Sequence, residues 1–105
     1  MLAEDVIHSL TTQIVRRSNP VRIILFGSQA RGDARTSSDV DLLVVLPETP
    51  NKRQAAIEIR RELAHFPFAK DVIVTTPEEI ARRGDIVGSV LRSALREGKV
   101  IYERG

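Results

Sequence analysis

The sequence has no cysteine and no tryptophan, and only four of its 105 residues are aromatic: three phenylalanines and one tyrosine. Without cysteine the chain can form neither a disulfide framework nor a thiolate metal site, which is compatible with a reducing cytoplasm, the expected location. So few aromatic rings provide no platform on which single-stranded nucleic acid could stack. No apolar run approaches the ~20 residues of a membrane-spanning helix. These features disfavour secreted disulfide-rich proteins, single-strand binders and membrane proteins.

Positive and negative charges nearly balance, because 16 Lys and Arg residues stand against 14 Asp and Glu residues and the formal net charge is +2. The arginines are spread along the chain and form no basic run, so most of them are expected on solvated helix faces. We therefore expect no direct nucleic-acid binding and no membrane contact. The length and the 42% hydrophobic content fit one globular domain over residues 1–105.

Apolar residues at helical and strand spacing predict an α/β fold, a small mixed β-sheet flanked by helices. The predicted strands cover residues 21–26, 39–46, 70–75 and 100–102. The predicted helices cover about 3–17 and 51–65, with a helical turn over 28–34, a short helix over 77–82 and a longer one with its buried stripe at 86–95. A parallel crossover needs about a dozen residues or more, so the short link between the first two strands argues against a purely parallel sheet.

Two helix starts have expected capping residues. Thr49 is expected to cap the second long helix, with Pro50 in its first turn. Thr76 and Glu79 have the spacing of a capping box at the start of the short helix that follows.

The residues that indicate a function are carboxylates at the starts of two predicted strands. Side chains alternate along a strand, so Asp39 and Asp41 point to the same face while Val40 points to the other. Paired carboxylates of this kind persist most easily beside a divalent cation, and oxygen ligands favour Mg²⁺. Asp71 begins the third strand and is the best candidate for a third carboxylate. Directly after the first strand, Gly27 and Ser28 form a turn suited to binding phosphate. Nucleotide chemistry is the resulting prediction.

The pattern of Gly27-Ser28, ten intervening residues and Asp39-x-Asp41 resembles the signature of the DNA polymerase β-like nucleotidyltransferase superfamily. The local sequence Gly-Ser-Gln-Ala-Arg-Gly, followed by Ser-Asp-Val-Asp-Leu-Leu-Val, is most similar to the minimal nucleotidyltransferase (MNT) branch of that superfamily. The likeness extends over essentially the whole chain, including Asp71 as the aspartate of the third strand. It implies the polymerase β-like nucleotidyltransferase fold.

The resemblance also implies the chemistry of the aspartates. Asp39 and Asp41 would ligate two Mg²⁺ ions, and Asp71 would ligate the ion that activates the acceptor hydroxyl and could receive the hydroxyl proton. Attack of the hydroxyl on the α-phosphorus of ATP would transfer AMP and release pyrophosphate.

Three residues of the turn have implied roles toward the nucleotide. By the same resemblance, Gly27 and Ser28 would hold the β- and γ-phosphates of the triphosphate. Arg31 occupies the family's arginine position, and it either contacts phosphate or braces the loop; the sequence leaves both roles open.

The resemblance implies a partner as well. Minimal nucleotidyltransferases commonly act as antitoxins that adenylylate a tyrosine of a helical HEPN toxin, so a HEPN-type protein is the expected partner. Two alternatives stay open: a non-catalytic antitoxin that occludes its partner, and a transferase that acts on a small-molecule hydroxyl. A template-dependent polymerase is disfavoured, and a P-loop protein is excluded because no Gly-Lys-Ser/Thr ends a glycine loop.

Overall fold

The computed structural model describes residues 3–27, 40–84 and 90–104. Within these ranges the helices are α1 (Glu4–Ser18), α2 (Lys52–Glu62), α3 (Pro77–Arg83) and α4 (Val90–Glu97). The strands are β1 (Arg22–Phe26), β2 (Val40–Val45), β3 (Lys70–Thr75) and β4 (Lys99–Glu103). None of the helices in the described ranges is long and apolar enough to cross a membrane. The predicted helical turn over 28–34 lies outside the described residues, as do Ile86 and Val87 of the predicted stripe, whereas Leu91, Ala94 and Leu95 pack against the sheet as predicted.

The four strands form one mixed sheet in the order β3-β2-β1-β4. β2 pairs with β3 in parallel, and β1 pairs with both β2 and β4 in antiparallel fashion. The predicted mixed α/β sheet is therefore confirmed. The short link after β1 returns the chain in the opposite direction, and the α2 crossover supplies the length that the parallel β2–β3 pair needs.

Each face of the sheet packs against helices. Leu42 and Val44 point to one face, where α1 and α2 cover a large buried cluster. Leu43, with Ile24 and Ala94, forms a smaller buried cluster on the opposite face beneath α4. The inner strands β1 and β2 are apolar on both faces for this reason, as expected for strands inside a covered sheet.

The start and the end of α2 differ from the prediction. Asn51, and not Thr49, caps the helix, because its side-chain oxygen accepts a hydrogen bond from the Gln54 amide at 3.0 Å. Pro50 consequently lies before the helix instead of in its first turn. The helix ends at Glu62, three residues earlier than predicted, and the chain turns at the fully buried Leu63 before it reaches Pro67.

The predicted capping box at α3 is half correct. The Thr76 hydroxyl accepts a hydrogen bond from the Glu79 amide at 3.2 Å, as predicted. The Glu79 carboxylate, however, accepts from the Thr75 hydroxyl and pairs with Lys52. These bonds tie the start of α3 to the end of β3 and to α2, so a tertiary contact replaces the local one.

Candidate active site

Three strand ends meet on the face of the sheet beneath α4. In the antiparallel β1–β2 pair, Phe26 lies opposite Asp41, and in the parallel β2–β3 pair, Asp41 lies opposite Asp71. Gly27 follows Phe26 directly. Because side chains alternate along a strand, Asp41 shares its face with Leu43 and Asp71 shares the same face with Ile73. Both carboxylates therefore project to the same face, beside the Gly27 turn, from neighbouring strands whose backbones lie ~4.8 Å apart.

Gly27 is required at its position for two reasons. Its φ angle is +77°, in the region that residues with a side chain rarely adopt. A Cβ atom there would also lie closer than 3.0 Å to Oδ2 of Asp41, a separation that real Cβ atoms essentially never show. The turn after β1 and the Asp41 carboxylate therefore pack directly against each other, and only glycine leaves room for both.

The two carboxylates differ in their surroundings. Asp41 is half-buried at the start of the inner strand β2, while Asp71 is exposed at the start of the outer strand β3. The side chain of Asp71 forms no hydrogen bond or ion pair with another described residue. Asp41 is thus held by its surroundings, whereas Asp71 remains accessible to solvent and to a bound molecule.

The donor set fits a hard divalent cation. Both groups are carboxylates, and Mg²⁺ binds proteins through one or two carboxylates while it keeps several waters. No group of three His, Cys, Asp or Glu side chains within the described ranges could hold a metal ion. Asp39, the predicted partner of Asp41 on the same strand, lies outside those ranges. Asp41 and Asp71 could therefore supply two oxygen ligands to a Mg²⁺ ion, which would need further ligands from water, nucleotide or the rest of the chain.

The structure describes half of the predicted site residues. It places Gly27, Asp41 and Asp71 next to one another at three neighbouring strand ends, and their roles toward metal and nucleotide stay predictions. Ser28, Arg31 and Asp39 lie outside the described residues, so their predicted roles stay predictions.

Lys70 helps to position the strands of the site, and the sequence analysis did not identify it. Its ammonium group donates hydrogen bonds to the carbonyl oxygens of Phe66 and Phe68, at 3.0 and 2.7 Å, and lies 5.0 Å from the ring centre of Phe68. Desolvation by burial lowers the pKa of the Lys70 amine. The next residue along this turn, Ala69, accepts a backbone hydrogen bond from Val40 at 2.9 Å. Lys70 therefore fixes the turn from which both β3 and the start of β2 take their position.

A comparison with protein-family models identifies the family of the chain. The model of the nucleotidyltransferase domain matches residues 9–101, which include β1, β2, β3 and the segment between them. The chain belongs to the nucleotidyltransferase domain family. In this family context, the Gly27 turn and the in-register aspartates are the features that resemble the nucleotidyltransferase signature.

Two curated relatives come from Methanocaldococcus jannaschii. The chain is 32% identical over 89 residues to "Putative protein adenylyltransferase MJ1305", a match that covers 80% of this chain and 59% of that protein. It is 35% identical over 54 residues to "Putative protein adenylyltransferase MJ0141", which covers 51% of this chain and 54% of that protein. The matches thus span somewhat more than half the length of these relatives.

Two solved structures share the fold. The structure described as "a putative nucleotidyltransferase from Sulfolobus solfataricus" superposes with a TM-score of 0.61 at 21% identity, covering 95% of this chain and 83% of that one. A second structure, "Crystal structure of the toxin-antitoxin with AMP-PNP", superposes with a TM-score of 0.54 at 19% identity, covering 91% of this chain and 73% of that one. At these identities the likeness establishes the nucleotidyltransferase fold, as the sequence predicted.

Proposed function

We propose that this nucleotidyltransferase domain transfers AMP from ATP to a hydroxyl group of a partner protein, with Mg²⁺ bound at the start of β2 and β3. The observation that supports this most strongly is the register of Asp41 and Asp71 beside the Gly27 turn. Two carboxylates and a side-chain-free turn provide what nucleotidyl transfer needs from a protein: metal ligands and a place for phosphate.

Asp41 and Asp71, together with Asp39, would hold two Mg²⁺ ions. When bound, the metal supplies neutralisation of the triphosphate charge and activation of the acceptor hydroxyl. Asp41 is suited to orient the reacting groups, because the Gly27 turn and the buried strand behind it restrict its position. Asp71 is suited to face the acceptor, because it is exposed at the outer strand.

The nucleotide would bind over the turn after β1. Gly27 lacks a side chain, so the backbone there can approach the β- and γ-phosphates closely, and the hydroxyl of Ser28 would add a donor. Arg31 would contact phosphate or brace the loop. ATP is proposed as the donor because the curated relatives are named adenylyltransferases and one structural neighbour contains AMP-PNP.

In the transfer step, the acceptor hydroxyl oxygen forms a bond to the α-phosphorus of ATP. The bond from that phosphorus to the oxygen bridging the α- and β-phosphates breaks, and pyrophosphate leaves. The hydroxyl proton passes to the Asp71 carboxylate or to solvent. No oxidation or reduction takes place, and the product is a phosphodiester between AMP and the acceptor.

A tyrosine of a HEPN-type toxin is the proposed acceptor, so the chain would act as an antitoxin. The support is the sequence resemblance to minimal nucleotidyltransferases, together with the toxin–antitoxin structure that shares this fold. The relatives named protein adenylyltransferases support a protein acceptor over a small molecule.

Intact-mass spectrometry of a candidate HEPN-type partner protein tests the proposal. After incubation with the chain, ATP and Mg²⁺, its mass should rise by one or more adenylyl units. The gain should be lost with Asp41→Asn and retained with Glu58→Gln, a matched carboxylate-to-amide change on an exposed position of α2. A tight complex without any mass gain would refute adenylylation and support an occluding antitoxin.

A further inference from the structure

A groove of about 370 Å³ lies between α2 and the outer strand β3, away from the three-residue site. Its apolar walls come from Ala56 and Ile57 of α2 and from the Val72–Val74 segment of β3. Ile57 packs into neither of the two buried clusters, although it is a large apolar side chain. Ala56, Val72 and Val74 belong to the large buried cluster and form the floor of the groove, so Ile57 is the half-buried apolar side chain of α2 that a bound segment could cover further.

The polar side chains of the described residues that line this groove are cationic. They are Lys52, Arg53 and Arg60, and no carboxylate of the described ranges is among the lining residues. Lys52 is already paired with Glu79. Neither Arg53 nor Arg60 forms an ion pair with a residue of the described ranges. Neither arginine has an acidic residue three or four positions away on the helix.

The spacing of these cations suits a protein segment. Arg53, Ile57 and Arg60 follow one another at helical spacing along one stripe of α2, so the two arginines lie ~10 Å apart along the helix axis with the apolar side chain between them. An arginine binds a carboxylate through two parallel hydrogen bonds. Two exposed arginines with an apolar floor are few cations for a nucleic acid, which needs a row of phosphate contacts.

We propose that the groove between α2 and β3 docks a segment of a partner protein that carries an apolar side chain between two acidic residues. The apolar side chain fills the groove against Ile57, and the flanking carboxylates bind Arg53 and Arg60. This docking surface is independent of the transfer reaction, because neither arginine belongs to the site formed by Gly27, Asp41 and Asp71.

The test uses a phage-displayed library of random 12-residue peptides selected on the full chain. Enriched peptides should contain an apolar residue flanked by aspartate or glutamate. Their affinity should fall at least ~10-fold for the double variant Arg53→Gln/Arg60→Gln, because two charge-assisted contacts are lost. The double variant Arg16→Gln/Arg17→Gln on α1 makes the same chemical change at exposed positions and should bind as the natural chain does.

Each contrary outcome overturns the proposal. No enrichment, neutral or basic enriched peptides, or equal binding to the Arg53→Gln/Arg60→Gln variant would show that the groove docks no acidic segment. Binding of a fluorescent 20-nucleotide RNA or DNA at physiological salt, lost in that same variant, would identify a nucleic-acid surface instead. Circular dichroism melts of both double variants verify that they are folded before binding is compared.

Discussion

Replacement of Gly27 by alanine tests how tightly the turn after β1 is coupled to the site. An alanine at φ +77° costs roughly 1–2 kcal/mol in backbone strain. Its methyl group would also collide with Oδ2 of Asp41. To relieve the collision, the Asp41 side chain must leave its position at a further cost of about 1 kcal/mol. The expected loss of folding free energy is therefore about 2–3 kcal/mol, or roughly 10–20 °C in melting temperature for a domain of this size.

The effect on transfer should exceed the effect on folding. A displacement of about 1 Å in a reacting group can cost ~100-fold in rate, and the displaced group in the Gly27→Ala variant is a proposed metal ligand. We expect the rate of AMP transfer, measured with ATP labelled at the α-phosphate and well below the melting temperature, to fall about 100-fold. Differential scanning calorimetry of the same samples provides the stability.

Gly98→Ala is the matched control. Its methyl group would collide with the Ala94 carbonyl oxygen and with Ile24, which lie in the small cluster and not among the aspartates. This variant should melt at a lower temperature but transfer AMP at the normal rate per folded molecule. If Gly27→Ala melted within 2 °C of the natural chain and transferred AMP at the same rate, the coupling between the turn and Asp41 would be refuted.

Three further changes have expected outcomes. Mg²⁺ with ATP should raise the melting temperature, because ligands stabilise the state that binds them, and Asp41→Asn should abolish the rise. Glu79→Gln should lower the free energy of unfolding by about 1 kcal/mol at pH 7, as measured by chemical denaturation. The reason is that the bonds from Lys52 and Thr75 stabilise the ionised carboxylate and lower the pKa of Glu79 below its ordinary 4.5. This stabilisation is present above pH 4.5 and disappears as the pH falls through the lowered pKa. Lys70→Met should cost about 2 kcal/mol and speed hydrogen exchange at the start of β3, as measured by NMR.

Each of these expectations has a contrary result. An equal rise in melting temperature for Asp41→Asn would place the nucleotide elsewhere. A Glu79→Gln penalty that grows as the solution is acidified would show that the carboxylate is not the stabilising form. Lys70→Arg keeps a cation that can donate to both carbonyl oxygens, so a Lys70→Arg variant as unstable as Lys70→Met would remove the turn-fixing role.

The sequence predicted those parts of the fold that depend on local patterns of apolar and polar residues. β1 and β2 are apolar on both faces, and the phase of Asp41 with Leu43 placed that carboxylate correctly relative to the sheet. Asp41 lies opposite Asp71 because of the parallel register of β3 against β2. Side-chain alternation is consistent with that register but does not determine it. The resemblance to known nucleotidyltransferases supplied the third strand's role before any register was available.

Other features depended on contacts that local patterns do not contain. Thr49 and Asn51 are both good capping residues, and only the path of the chain after β2 decides between them. The Glu79 side chain had a local partner available, but Lys52 and Thr75 offered a charge-assisted alternative. Lys70 gave no signal, because its partners are backbone carbonyls of a turn whose shape arises on folding.

Paramagnetic NMR with Mn²⁺ in place of Mg²⁺, in the presence of ATP, tests the location of the site most directly. The ion broadens amide signals in its vicinity, so the account predicts loss of the Gly27, Asp41 and Asp71 signals, with broadening that weakens along the strands toward their opposite ends at Arg22, Val45 and Thr75. Asp41→Asn should restore the lost signals. Broadening centred on Glu48 and Glu78, which line a separate groove beyond the opposite ends of β2 and β3, would contradict the account.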